Sequence, residues 1–390
     1  MNPLYNCLHC GSPLEVSYDY EKAKKQYIKT QSKKYDWFHL LPVEKKTFVH
    51  LGEGNTPLLK ANRLAKRIGV ENLFLKCEFS NPTGSFKDRP VSIGINKALQ
   101  FGYRKVVVAS SGNGAGSVAA YCARAGLEAI VLVPESTPLE KVKQARGYGA
   151  NVIKVSGPYS HCFHLAKELS EKHNFFNVTT TFINPYTVEG DKLIAFEMLE
   201  QMEGTVPDAI YVPIGAGPLL VGILKGYTEY GYLSGESSMP RMAGIQAEGC
   251  SPIAQAFLVD EQNVQSEKNP QTIAGGICDG LVGYEQDGTY TLNKIRQSQG
   301  FSIYVSDHEI KEAGEWLAQD EGLFVEPAAA AGLAGLVKSL AENRVKIDDR
   351  IVVLLTGHGL KDMSEWNLTE TVPLITNQTK ELLKLLKIKE

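Results

Sequence analysis

From about residue 72 onward the chain alternates short apolar runs with longer amphipathic ones. Asn72-Leu-Phe-Leu-Lys-Cys-Glu78 reads as a strand and Val91–Gln100 as a helix, with Asp88 ahead of Pro90 supplying the cap region. Strands follow at Lys105–Ala109, Ala129–Val133 and Asn151–Val155. They interleave with helices at Ser117–Ala125, closed by Gly126, at Pro138–Tyr148 and at His161–His173. The pattern resumes with the helix Ala195–Met202, the strand Ala209–Ile214, a helix from near Leu219 and the strand Met242–Ala247. It ends with the helix Asp307–Asp320, an Ala-rich helix Ala328–Asn343 and the buried-looking strand Arg350–Leu355. Strands and helices alternating at this spacing predict parallel strands joined by right-handed crossovers, so the expected class is α/β with open, mostly parallel sheets. Residues 1–48, rich in Tyr, Lys and Phe, lack a strong period and read as an N-terminal extension wrapping the body. The amphipathic tail Lys380–Glu390 reads as core or subunit packing rather than a membrane anchor.

With 390 residues, 43% of them hydrophobic, the chain exceeds one typical domain of about 150 residues, and two closely joined domains are expected. Lys plus Arg total 41 against 44 for Asp plus Glu, a formal charge of −3. No excess positive field is available to draw in nucleic acid or an anionic bilayer, so a small molecule is the expected partner. No apolar run reaches the roughly 18 residues that cross a membrane, and the N-terminus shows no basic segment followed by an apolar one. The seven cysteines form an odd, scattered set that suits free thiols. Both observations predict a cytoplasmic location. Only Cys7 and Cys10 have metal-ligand spacing, and a tetrahedral site needs two further ligands, so no metal is expected.

Four stretches carry candidate chemistry. Ser80-Asn-Pro-Thr-Gly-Ser-Phe-Lys87 is a turn-rich loop that follows a strand and delivers one lysine to a helix entrance. A solvated lysine fits there too, but partial burial would hold its amine near neutral pKa, as imine formation requires. Ser110-Ser111-Gly112-Asn113-Gly114 lies between a strand and a helix, where backbone N–H groups at the positive helix end bind a carboxylate or phosphate. Tight βα packing accounts equally well for its small residues. Gly215-Ala216-Gly217-Pro218-Leu219 resembles a phosphate cradle, but Leu220 leaves Gly-x-Gly-x-x-Gly incomplete and there is no nucleoside-triphosphate loop. A nucleotide cofactor is thereby disfavoured. Thr356 ends an apolar strand, where ligands of open α/β sheets sit. Its hydroxyl suits a ring nitrogen that is not to carry full charge.

In this order, Gly52-Glu-Gly-Asn-Thr-Pro-Leu58, Asn81-Pro-Thr-Gly-Ser-Phe-Lys-Asp-Arg89, Ser110-Ser-Gly-Asn113, Gln246-Ala-Glu-Gly249, Glu326-Pro-Ala-Ala-Ala-Ala-Gly332 and Thr356-Gly-His-Gly-Leu-Lys-Asp362 resemble the threonine synthase family. Cys7-Leu-His-Cys-Gly-Ser-Pro-Leu14 is similar to the second half of the zinc-ribbon-like start of some members, without the first cysteine pair. The resemblance implies the fold-type II, tryptophan-synthase-β-like architecture with pyridoxal 5'-phosphate in the cleft between two domains. The large domain would comprise residues 49–90 and 191–390, and the smaller, inserted one residues 91–190. It also implies that Lys87 holds the cofactor as a Schiff base and moves protons on the substrate. Asn113 would bond the ring hydroxyl, Gly215, Ala216, Gly217, Pro218 and Leu219 would bind the phosphate, and Thr356 would face the pyridine nitrogen. The turn Ser110, Ser111, Gly112 and Gly114 would hold the carboxylate of a small amino-acid substrate, and a homodimer is implied.

The departures from the family bear on the substrate. Where the family reads Asn-Pro-x-Arg-x-Glu-Gly-Gln-Lys-Thr, this chain has Asn184-Pro-Tyr-Thr187-Val-Glu-Gly-Asp-Lys-Leu193, so Thr187 occupies the place of the substrate-phosphate arginine. Losing a charge-assisted bond of roughly 1.5–3 kcal/mol weakens binding by about one to two powers of ten unless another cation, such as Lys192, Lys225 or Lys361, compensates. The leading expectation is γ-elimination of phosphate from O-phosphohomoserine followed by hydration to threonine. The alternatives are β-elimination or replacement on another amino acid, and a catalytically silent homologue, against which Lys87, Asn113 and Thr356 speak.

Overall fold

The computed structural model describes residues 5–7, 9–29, 36–363, 374 and 379–387. Ten strands form two sheets: β1 Leu58–Lys60, β2 Asn72–Lys76, β3 Lys105–Ala109, β4 Glu128–Pro134, β5 Asn151–Val155, β6 Phe176–Asn177, β7 Ala209–Pro213, β8 Arg241–Ala247, β9 Phe301–Val305 and β10 Arg350–Leu354. A six-stranded sheet runs β1-β2-β10-β7-β8-β9 and a four-stranded one β5-β4-β3-β6. Every pairing is parallel except that of the edge strand β1 with β2. This is the α/β class that the alternating pattern predicts.

Both faces of each sheet are covered, and the side-chain period of two sorts neighbouring residues into separate cores. On β7 and β10, Ile210, Val212, Val352 and Leu354 enter one core, whereas Tyr211, Ile351 and Val353 enter the other. On β3, Val106 and Val108 face one side and Val107 and Ala109 the other. Each such fully buried aliphatic side chain contributes roughly 1.5–3 kcal/mol. That is why these strands read as continuous apolar runs rather than as alternation.

Strand order also fixes where a ligand site lies. The order in which strands are added reverses at β10, which inserts between β2 and β7, and again where β6 returns beside β3. At such switch points the loops leave the carboxyl ends of neighbouring strands in opposite directions and open a crevice. The loops after β2, β3, β7 and β10 carry Lys87, Asn113, Gly217 and Thr356 respectively.

Several elements differ from the sequence expectation. The helix after β3 spans Asn113–Ala125, beginning four residues early because Gly114 and Gly116 are helical despite their low propensity. The strand β9 and the helices Pro252–Leu258 and Glu285–Gln297 were not expected. The helix Asp307–Glu321 is as expected, with a capping box between Ser306 and Glu309. The N-terminal extension lies against the body: Trp37 stacks on Phe196 at 3.9 Å and the Tyr18 hydroxyl donates to Glu189 at 2.7 Å. A helix, Thr379–Leu385, occupies part of the predicted tail, whose last residues, 388–390, lie outside the described residues.

Candidate active site

Lys87 stands immediately before the helix Asp88–Gln100, at the end of a loop that cannot move independently. Backbone bonds join that loop to the turn after β10: Phe86 N–H donates to the Thr356 carbonyl at 2.9 Å and His358 N–H to the Gly84 carbonyl at 2.9 Å. Asp88 accepts from the Thr83 backbone, the Thr83 hydroxyl and the Ser117 hydroxyl, each at 2.7 Å. Beneath it the buried Arg89 bonds Glu78 through two nitrogens at 2.6 and 2.8 Å and Glu197 through two at 2.7 and 2.8 Å. Lys76 adds a bond to Glu197 at 2.9 Å. A fully partnered buried network of this kind costs desolvation but resists distortion once made.

The Lys87 ammonium lies 4.6 Å from the centre of the Phe86 ring, in a cavity of about 710 Å³. Burial lowers its pKa, opposed by Asp191, Asp279 and Glu326. Those carboxyls are themselves pushed up by burial, Asp191 to about 8, and one Asp191 oxygen has no hydrogen-bond partner. The surroundings thus favour an amine with a free electron pair, the state in which a lysine is a nucleophile or base.

Around this lysine the cavity wall brings together the three glycine-rich or small-residue turns. Ser110, Ser111, Gly112, Asn113 and Gly114 line it from the carboxyl end of β3, and Gly215, Ala216, Gly217, Pro218 and Leu219 from that of β7; Thr356 lines it from β10. The β7 turn opens the 17-residue helix Pro218–Ser234, whose positive end faces the cavity. Gly217 has φ +99°, and a Cβ there would lie 2.3 Å from Thr291; a Cβ on Gly215 would lie 3.0 Å from that of Asp279. Missing side chains here leave backbone N–H groups bare, which is what a phosphate needs.

One expected placement differs. Thr187 does not line the cavity: its hydroxyl donates to the Asn184 carbonyl at 2.8 Å and its methyl faces Gly94. On the helix Pro185–Asp191 the residue packs inward against the helix Asp88–Gln100, which leaves it no path to a substrate. The Asn113 amide, in turn, donates to both oxygens of Glu326 at 2.9 and 3.0 Å. Sequence reasoning gave no role to Asp279, Glu326, Asp191 or Lys141. The glycine-dense run Ala274-Gly-Gly-Ile-Cys-Asp-Gly280 was a usable signal for Asp279, since it forms the opposite cavity wall.

A half-buried lysine with a lowered pKa, flanked by two anion cradles at the carboxyl ends of parallel strands, defines an enzyme built to hold a phosphate-bearing cofactor on an amine. The family model described as pyridoxal-phosphate dependent enzyme matches residues 49–357. A threonine synthase of Methanocaldococcus jannaschii is 41% identical over 366 residues, covering 92% of this chain and 89% of that protein. One of Halalkalibacterium halodurans is 39% identical over 329 residues, covering 84% and 88%. Among solved structures, a threonine deaminase of Solanum lycopersicum superposes with a TM-score of 0.69 at 21% identity, covering 95% of this chain and 99% of that one. The chain belongs to the pyridoxal-phosphate dependent enzyme family, and its cofactor is pyridoxal 5'-phosphate. The bare glycine turn before a long helix and the buried amine fit the phosphate and aldehyde of that cofactor.

Proposed function

We propose that the protein is a threonine synthase, converting O-phosphohomoserine and water into threonine and phosphate. The observation that carries this reading is the likeness to curated threonine synthases over nearly the whole chain, 41% identity across 92% of it, and the gathering of Lys87 and both candidate cradles around one cavity supports it. Pyridoxal phosphate, when bound, supplies the electron sink that acidifies hydrogens near the substrate's amino group. In this reading Lys87 is the attachment point and then the group that carries protons between substrate carbons, a task its burial-lowered pKa favours. Gly215, Ala216, Gly217, Pro218 and Leu219 hold the cofactor phosphate, and Thr356 faces the ring nitrogen. Asn113 meets the ring hydroxyl, the Glu326 carboxyl steadying its amide. Ser110, Ser111, Gly112 and Gly114 form the turn that receives the substrate carboxylate.

Residues 91–190 act in this proposal as a smaller domain that closes on residues 49–90 and 191–390 and excludes water from the cavity. The reading includes a cytoplasmic homodimer, supported by family resemblance, which light scattering on the purified protein tests. Among the described residues no helix is long and apolar enough to cross a membrane.

The test is turnover of O-phosphohomoserine with phosphate and threonine followed together. Equal release establishes the activity, and a holoenzyme that releases neither overturns it. The position of Thr187 favours a second reading, elimination from an unphosphorylated hydroxy amino acid. Release of a keto acid and ammonia from serine or threonine would select it.

A further inference from the structure

Resting on the threonine synthase reading, one question is left open by the placement of Thr187: what holds the anionic end of the substrate. Lys192 and Lys225 are excluded by position. Lys192 is fully buried and ion-paired to Glu189 at 2.7 Å and Glu229 at 2.9 Å, Lys225 binds the same two carboxylates, and neither lines the cavity. The lysines that do line it are Lys87, Lys141, Lys143 and Lys361. Lys87 belongs to the cofactor, and Lys143 stands at the rim with its side chain 73% exposed beside Glu140.

Lys361 is unlike the rest. Its ammonium is held at 2.8 Å by the Thr83 carbonyl and at 2.5 Å by the Gln144 amide oxygen, both neutral acceptors. Among the described residues it makes no ion pair with a carboxylate, and the acidic groups that face it, Glu326 and Asp88, are pushed toward their neutral forms by burial. A half-buried cation without a direct counter-ion is costly unless an anion is meant to arrive. Beside it Lys141 bonds Asp362 at 3.1 Å.

The two contacts are reciprocal across the cleft. Lys141 and Gln144 lie on the helix Leu139–Gly147 above the four-stranded sheet, and Lys361 and Asp362 lie on the turn after β10 of the six-stranded sheet. We propose that Lys361 and Lys141 together form the anion-binding end of the cavity and receive the phosphate ester of an O-phosphorylated amino acid. The phosphate would meet two ammonium groups: Lys361 leaves neutral acceptors for it, and Lys141 is shared between the phosphate and the Asp362 carboxylate. Because the groups come from both sides of the cleft, the same contact ties substrate binding to closure.

The experiment titrates inorganic phosphate into the holoenzyme by calorimetry, so that the cofactor cradle is already filled. Lys361→Met and Lys141→Met are expected to weaken phosphate by about one to two powers of ten each. Lys361→Arg, which keeps the charge, is expected to stay within a few-fold of the parent, and Lys143→Met to match it. Unchanged melting temperature and cofactor absorbance in each variant establish that it is folded and loaded. Unchanged phosphate affinity in both methionine variants, or a parent holoenzyme that binds no phosphate, overturns the proposal. A parent that binds phosphate through these lysines yet does not turn over O-phosphohomoserine leaves the anion site standing and removes the threonine synthase reading instead. With turnover present, Lys361→Met is expected to raise KM by a similar factor while the cofactor absorbance stays unchanged.

Discussion

Replacing Gly217 with Ala tests whether the turn after β7 is shaped for a phosphate. The residue has φ +99° and ψ 9°, a region that costs an L-residue about 1–2 kcal/mol. The added methyl would also lie 2.3, 2.5 and 2.9 Å from the Cγ2, Oγ1 and Cβ of Thr291. Thr291 cannot swing away freely, because its hydroxyl donates to the Ala216 carbonyl at 2.6 Å and it is fully buried. Relieving such an overlap in a packed interior costs roughly 1–3 kcal/mol. The total, about 2–5 kcal/mol, falls on stability if the turn holds its shape and on cofactor affinity if it shifts. Fluorescence titration of the apoprotein with pyridoxal phosphate measures one part and chemical denaturation of the apoprotein the other. We expect the two losses together to reach about 2 kcal/mol or more, equivalent to at least about 30-fold in affinity if all of it appears there. Adding Thr291→Ala removes the two nearer atoms and should restore part of the loss. A Gly217→Ala protein with parental cofactor affinity and parental stability would refute the argument.

Other expectations follow from the same geometry. Lys87→Ala should lose turnover by at least about 10²–10⁴-fold and lose the lysine-linked visible absorbance, without a fall in the melting temperature of the apoprotein, because a desolvated amine is removed. Arg89→Met leaves Glu78 and Glu197 without their shared cation, so the folded state should weaken by about 3–5 kcal/mol in chemical denaturation; a change under 1 kcal/mol contradicts a structural role. Asp191 has its folded pKa raised by burial to about 8 from 3.8, so the folded state binds more protons than the unfolded one between those values. Its penalty is absent below about 3.8, grows as pH rises and is complete above about 8. The stability gained by Asp191→Asn should therefore increase from pH 4 to pH 8 in urea melts of the apoprotein, and a pH-independent difference would contradict the assignment.

Most of the fold was legible because buried parallel strands leave an unambiguous trace. Lys105–Ala109 and Arg350–Leu354 are nearly unbroken apolar runs, since helices cover both faces of each sheet. What escaped was short or locally ambiguous. β6 has two residues and acquires its strand character only by pairing with β3, and β9 is five residues whose Ser302 and Tyr304 disguise a buried element. The helix starting at Asn113 was read as loop for four residues because helix propensity penalises Gly114 and Gly116. In the structure those glycines let Ser110 and Gln144 approach to distances a side chain would forbid.

The site divides along the same line. Lys87, the turns at Ser110–Gly114 and Gly215–Leu219, and Thr356 were legible in sequence because each is a local device: a strand end, a glycine that admits an anion, a helix start whose N–H groups are free. Sequence by itself therefore placed a lysine among candidate anion cradles, and the cofactor followed from the resemblance that the six ordered motifs carry. Tertiary structure decided which side chains face the crevice. It turned Thr187 inward against Gly94, committed Lys192 and Lys225 to Glu189 and Glu229, and set Asp279, Glu326, Lys141 and Lys361 around the ligand space. Side-chain facing depends on how two helices or two sheets pack, a relation between residues far apart in the chain, and no local pattern encodes it.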